Sequence, residues 1–208
     1  MKHLLMICSL LISATAHAIA DQEWNFRVFL EDREIGSHKF RVVESNGERR
    51  VESDARFTVK IFFIEAYTYH HQARERWSGE CLSALDASTD DNGEQLRVRG
   101  VRNGSGFSLE AARGRSELPP CIMPFAYWNP AMLQQPRLLN VQTGELLDVR
   151  VEPLGEESIF VRGAPMTARR YALHTTKYRI DVWYLANRQW VQLESTTESG
   201  RRLRYQIQ

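Results

Sequence analysis

The groups whose types and spacing could do chemistry are mostly aromatic. Trp77, Tyr127, Trp128, Trp183, Tyr184 and Trp190 could line an apolar pocket, with Asn129 and Asp181 beside them in sequence to orient a guest. Core packing is the plainer use of the same rings, because a domain of this size must fill an interior. Trp183 and Tyr184 face opposite sides of a regular strand, so only one of them can line a given pocket. His70 and His71 diverge for the same reason and cannot hold one ion together. A metal would need His38 or His174 from another strand, and no metal site is assigned. Glu65, Glu75 and Asp181 are carboxylates that could do acid–base work. Glu65 interrupts an apolar run, and burial would raise its pKa. A salt bridge to Arg74 or Arg76, or exposure at a sheet edge, is the simpler account. The sequence has no Gly-x-Ser-x-Gly, and its Gly104–Gly106 cluster lacks the following lysine of a phosphate cradle. No catalytic residue and no cofactor is therefore assigned.

The cysteines depend on the first 20 residues. Met1–Ala20 begins with Lys2 and His3, continues through the apolar run Leu4–Ile12, and reaches Ala16-His17-Ala18 and Ala18-Ile19-Ala20. That is the pattern of an export signal removed near Ala18 or Ala20, and the run is too short for a membrane anchor. Cys8 would leave with it, and Cys81 and Cys121 would remain in a periplasmic or secreted chain. A disulfide between them is the favoured reading, with two buried thiols as the alternative. The 27 Lys and Arg residues balance 26 Asp and Glu, so the net charge is +1 and nothing in it implies binding to nucleic acid or to an anionic membrane.

The elements that must position these residues read as β-strands. Glu23–Leu30 and Ile35–Glu44 alternate polar and apolar residues, and Asn46-Gly47 and Asn92-Gly93 carry hairpin chemistry. Ala55–Leu85 reads as one long ribbon whose middle, through Phe62, Ile64 and Ala66, is apolar on both faces and hence covered on both sides. Leu118–Leu139 breaks the pattern with five prolines among Cys121, Ile122, Met123, Phe125, Tyr127 and Trp128. Within it Asn129 caps a short helix that starts at Pro130. Strands follow at Leu138–Val141, Glu145–Val151, Ser158–Arg162 and Thr167–Thr175, then alternate to the C-terminus. The expected fold is all-β: one domain over residues 21–208, an antiparallel meander forming a curved sheet or partial barrel, with the greasy proline-rich segment as its cover.

Several segments together resemble an uncharacterised domain-of-unknown-function family of exported proteobacterial proteins. They are Glu75-Arg76-Trp77-Ser78-Gly79 with Leu82, Leu85, Thr89, Asn92 and Gly93; Tyr127-Trp128-Asn129-Pro130; Leu138-Leu139-Asn140 with Gln142-Thr143-Gly144; and Asp181-Val182-Trp183-Tyr184 with Trp190. The resemblance implies no residue roles. In architecture alone the chain is similar to the lipoprotein-carrier superfamily, whose half-barrels hold acyl chains beneath a helix. Two functional expectations follow. One is a carrier of an apolar or lipid-like molecule, suggested by the covered sheet. The other is an envelope protein-interaction or assembly domain that docks through sheet edges. An enzyme lacks a constellation to support it.

Overall fold

The structure, a computed structural model, describes residues 20–197 and 199–208. The export signal and its cleavage options lie outside the described residues, apart from Ala20. Fifteen strands and one 3-10 helix occur among the described residues. The strands are β1 (Ala20–Leu30), β2 (Arg33–Ser45), β3 (Glu48–Ile61), β4 (Ile64–Ser78), β5 (Cys81–Asp91), β6 (Glu94–Arg102), β7 (Phe107–Ala111), β8 (Gly114–Leu118), β9 (Arg137–Leu139), β10 (Leu146–Asp148), β11 (Arg150–Val161), β12 (Ala164–His174), β13 (Arg179–Tyr184), β14 (Trp190–Thr196) and β15 (Arg202–Ile207). Thirteen of them form one antiparallel sheet in the order β11-β12-β13-β14-β15-β1-β2-β3-β4-β5-β6-β7-β8. The sheet is curved and not closed. The chain meanders outward from β1 to the β8 edge, crosses the inner face as an irregular insert, and re-enters at the opposite edge, β11. It then meanders back until β15 pairs with β1, with Phe26 opposite Ile207 and Val28 opposite Tyr205.

The meander and its cover match the expectation from sequence. Inner-face side chains are apolar: Trp24, Phe26, Phe40, Val51, Trp77, Leu82, Val98, Phe107 and Val182 are buried, and they form one core with Ile122, Met123, Met132, Leu138 and Leu139 of the insert. The insert is fixed by backbone bonds. Leu82 N donates to Ile122 O at 3.0 Å, and Leu139 N donates to Met123 O at 2.9 Å. Cys81 and Cys121 are joined by a disulfide that ties the front of the insert to the start of β5. Asn129 caps the helix Pro130–Gln134 as expected, with its side-chain oxygen accepting from Ala131 N at 3.0 Å.

The outer face carries charges of alternating sign. Glu23 lies opposite Arg41, Arg41 opposite Glu52, Glu52 opposite Arg74, Arg74 opposite Asp86, Asp86 opposite Arg99, Arg99 opposite Glu110 and Glu110 opposite Arg115. One row of alternating sign thus crosses β1 to β8. A slip of one residue between any two of these strands would bring the row onto the apolar face. The ladder therefore specifies register more than it adds stability, since exposed pairs contribute at most about 1 kcal/mol each.

Two expectations are overturned. Ala55–Leu85 is not one covered ribbon. It is the β3–β4 hairpin followed by the start of β5, and Phe62-Phe63 is its turn. Phe62 is 90% and Phe63 98% exposed, with Ile61 and Ile64 more than half exposed and Ala66 exposed too. The expectation failed because an apolar pair carries no turn signature. Here Phe62 adopts φ 57, where Asn or Gly is usual. Glu65 is accordingly exposed and sits 3.8 Å from Lys60, not from Arg74 or Arg76. The second correction is the stretch after Val151. β11 runs on through Pro153 to Val161 with a bulge between Pro153 and Gly155. Proline is tolerated there because β11 is an edge strand.

Candidate functional site

The aromatic set divides between the two faces of the sheet. Trp77, Tyr127 and Trp190 are inner-face packing groups. Trp77 meets Trp128 edge-on at 5.2 Å, and Trp190 lies 4.2 Å from Phe26 and 5.2 Å from Tyr127, centroid to centroid. Tyr184 also points inward, where its hydroxyl donates to Tyr127 O at 2.8 Å. Asp181 and Trp183 alternate with it and point outward. Arg170 and Arg179 both donate to Asp181, Arg170 lies over the Trp183 ring at 4.8 Å, and Trp183 Nε1 donates to Glu157 at 2.5 Å. Burial alone would push the Asp181 carboxyl up. The hydrogen bonds from Arg179 and Arg170 outweigh it and hold the group below the usual carboxylate range. These two residues therefore form an ion-paired cluster on the outer face, separate from anything on the inner one.

Three of the eight residues converge around the 3-10 helix. A cleft of about 690 Å³ opens between this helix and strands β11–β13. Its apolar walls are Pro130, Leu133, Val151, Tyr171, Tyr184 and Leu185. Its polar rim includes Gln134, Glu156, Thr167, Arg169 and Arg188. Arg169 is held by Glu156 at 2.8 Å. A second, smaller cleft of about 320 Å³ lies on the other flank of the helix and is lined by Trp128, Asn129, Arg49 and Glu80. Pro130 and Arg188 line both. Arg49 lies over Trp128 at 5.6 Å and reaches Glu80 at 2.6 Å, while Asn129 Nδ2 donates to Glu80 at 2.7 Å. Tyr171 and Arg188 escaped the sequence reading. Tyr171 follows Arg169-Arg170 in a strand that reads as ordinary, and Arg188 sits in what reads as an ordinary polar turn.

The inner face also buries titratable groups. His71 turns inward and shares a 2.8 Å hydrogen bond with Thr89, while His70 turns outward toward Asp54, as their adjacency requires. His38 stacks on Phe40 at 4.0 Å, and neither ring nitrogen has a partner among the described residues. Burial holds His38 down to about 3 and His71 to about 4, so both stay neutral at ordinary pH. No group of three His, Cys, Asp or Glu side chains that could hold a metal occurs among the described residues.

Glu75 is an inner-face carboxyl bonded to Trp77. Burial pushes it up to about 7 from 4.5, opposed only in part by the hydrogen bond from Trp77 Nε1 at 2.8 Å. The folded chain thus holds a proton that the unfolded chain releases first. This group's contribution to stability is complete below about 4.5 and declines as pH rises through 7. Glu75→Gln is expected to stabilise the chain by about 2 kcal/mol near pH 8 and to leave it unchanged near pH 4. Urea unfolding at the two pH values measures this. An equal gain at both would show that the carboxyl is not buried in its charged form.

Comparison with known proteins agrees with the architecture. A crystal structure titled as a beta-barrel-like protein of domain of unknown function DUF1849 from Brucella abortus superposes with a TM-score of 0.67 at 8% sequence identity, covering 91% of this chain and 96% of that one. At that identity the likeness is one of fold alone. No curated protein sequence matches the chain. A family model does match, from the second inner-facing aromatic of β1 to the last residue: over residues 26–208 the chain belongs to the family described as domain of unknown function DUF6134.

Proposed function

We propose that this protein is a binding or carrier module for an amphipathic apolar molecule, a lipid or fatty-acyl compound, acting in the periplasm or outside the cell. The observation that carries the reading is the larger cleft. It sits at the open edge of the curved sheet, its walls are aliphatic and aromatic, and Arg169 and Arg188 stand at its rim. Such a site would bury an acyl chain against Leu133, Val151, Tyr171 and Tyr184 and present guanidinium groups to an acidic head. The Cys81–Cys121 disulfide supports an oxidising compartment. Docking through sheet edges has less support. The β11 edge carries Pro153, a bulge and Glu156-Glu157, and the β8 edge is short and charged, which are devices that discourage pairing.

Two measurements test the proposal. Native mass spectrometry of protein purified from the periplasm should show a bound species of lipid mass that organic extraction removes. Titration of the extracted protein with a fluorescent fatty acid should then give saturable binding. Replacing Tyr171 by Trp narrows the cleft and Arg188→Glu reverses the charge at its rim. Each is expected to weaken binding about tenfold, the first by filling space an acyl chain would occupy and the second by loss of a charge-assisted contact. Extracted protein that takes up no acyl probe, or variants that bind it as the parent does, would remove the cleft from consideration.

A further inference from the structure

The β3–β4 hairpin extends beyond the sheet that carries it. Pairing of β3 with β2 ends at Phe57 opposite Gly36, and pairing of β4 with β5 ends at Tyr69 opposite Asp91. Pairing of β3 with β4 continues to Ile61 opposite Ile64. The ribbon therefore stands out by four residues of β3, about 13 Å at the usual rise. Its apex is Ile61-Phe62-Phe63-Ile64, at 59%, 90%, 98% and 73% exposure. Four consecutive large apolar residues, all mostly in solvent, depart from what a soluble surface ordinarily shows. The backbone departs from the ordinary too. Phe62 is held at φ 57, a conformation that Asn46-Gly47 and Asn92-Gly93 fill with residues suited to it and that the polar Glu31 and Arg162 also adopt in their turns, but that is unusual for a bulky apolar residue. Phe62 and Phe63 stay almost wholly in solvent, so neither the exposure nor the strained conformation is offset by burial against the described residues, which is the pattern expected of a functional segment.

We infer that this apex inserts into the surface of a lipid bilayer. The chemistry of the ribbon is layered by depth. The apex is wholly apolar. One pair below it, Lys60 and Glu65 face each other at 3.8 Å, and Arg33 donates to Lys60 O at 2.6 Å. Below these Tyr67 donates to Asp91 at 2.7 Å. An apolar tip, a charged collar and then a hydrogen-bonded aromatic is the order of hydrocarbon, head groups and interface met along a membrane normal. A protein groove would instead need apolar flanks along the ribbon, and the flanks are where the charges lie. The collar carries both signs, with Glu31 and Asp32 of the neighbouring turn beside Arg202. Binding is therefore to a neutral or zwitterionic surface and depends little on salt. The inference stands apart from the cleft, because none of these residues lines it.

The test uses the full mature chain with phosphatidylcholine vesicles, with and without phosphatidylglycerol. The parent is expected to float with both kinds of vesicle, about equally at low and high salt. The double variant Phe62→Asn, Phe63→Gly places the favoured residues in the same turn and should keep the fold. It is expected to lose about tenfold or more in partitioning, from the apolar area removed. In a second, single variant, Phe63→Trp, the indole emission should shift to shorter wavelength on adding vesicles. A parent that fails to float, a double variant that floats as well as the parent, or an indole that does not shift would overturn the inference. So would a parent that is a dimer and a double variant that is a monomer, since the apex would then be covered by a second copy. Acyl-probe binding that survives in the double variant would separate this result from the fate of the cleft.

Discussion

Trp190→Ala is expected to destabilise the chain by about 3–5 kcal/mol, the range for removing a fully buried large aromatic ring. Trp190 is completely buried and lies where three parts of the chain meet. It comes from β14, in the C-terminal group of strands. Its ring packs on Phe26 of β1 and Phe40 of β2, in the N-terminal group, and on Tyr127 of the insert, with its Nε1 donating to Gln192 O at 2.9 Å. Among the described residues the two groups share only the β15–β1 ladder as strand pairing, so this ring is a main side-chain tie between them. For a chain of this size the loss corresponds to roughly 10 °C or more in Tm. Urea unfolding of the parent, Trp190→Ala and Trp190→Phe measures it, and the phenylalanine variant should fall between the other two. A Trp190→Ala protein within about 1 kcal/mol of the parent would show that the insert does not lie against the sheet at Tyr127.

How much of this was legible before the coordinates depended on whether the deciding contact was local. Asn46-Gly47 and Asn92-Gly93 announce their turns because positive φ is a property of those residues themselves. The opposite facing of Trp183 and Tyr184, and of His70 and His71, follows from strand geometry alone and is what the structure shows. The cover was legible from its prolines and its apolar density. Phe62-Phe63 was not legible, because local propensity there points away from a turn and only the pairing of the flanking strands imposes one. The pairing of β15 with β1, which turns a meander into one continuous thirteen-stranded sheet, depends on residues about 180 positions apart that no local pattern links. The charge ladder hides in plain alternation until register aligns it. The cleft is the least legible feature, since its walls come from the helix, β11, β12, the end of β13 and the β13–β14 turn, and of its residues only Tyr184 belongs to the aromatic set that the sequence offers.

Removing the disulfide, as Cys81→Ser with Cys121→Ser, is expected to cost about 3–4 kcal/mol. The bond spans a separation of 40 residues, and loops of that order gain this much from restriction of the unfolded chain. The location of the bond predicts where the loss will show. It closes a loop containing β6, β7 and β8, and its second cysteine opens the insert, one residue before Ile122 accepts from Leu82 N. Without the cross-link, the front of the insert is held by that backbone bond, by the pairing of Met123 and Leu139, and by burial of Ile122 and Met123 against the sheet. Local opening of the insert should therefore become easier than global unfolding. Amide hydrogen exchange would read this directly. Amides of Leu82, Phe125 and Leu139, which donate the bonds of the insert, should lose protection in the double variant, while those of β12 and β13, on the other side of the sheet, should change only by the global amount. Uniform loss across all strands would mean that insert and sheet unfold as one unit. In that case the 3-10 helix could not move away from β11–β13 without the whole chain unfolding, and any guest of the cleft would have to enter through the opening already present.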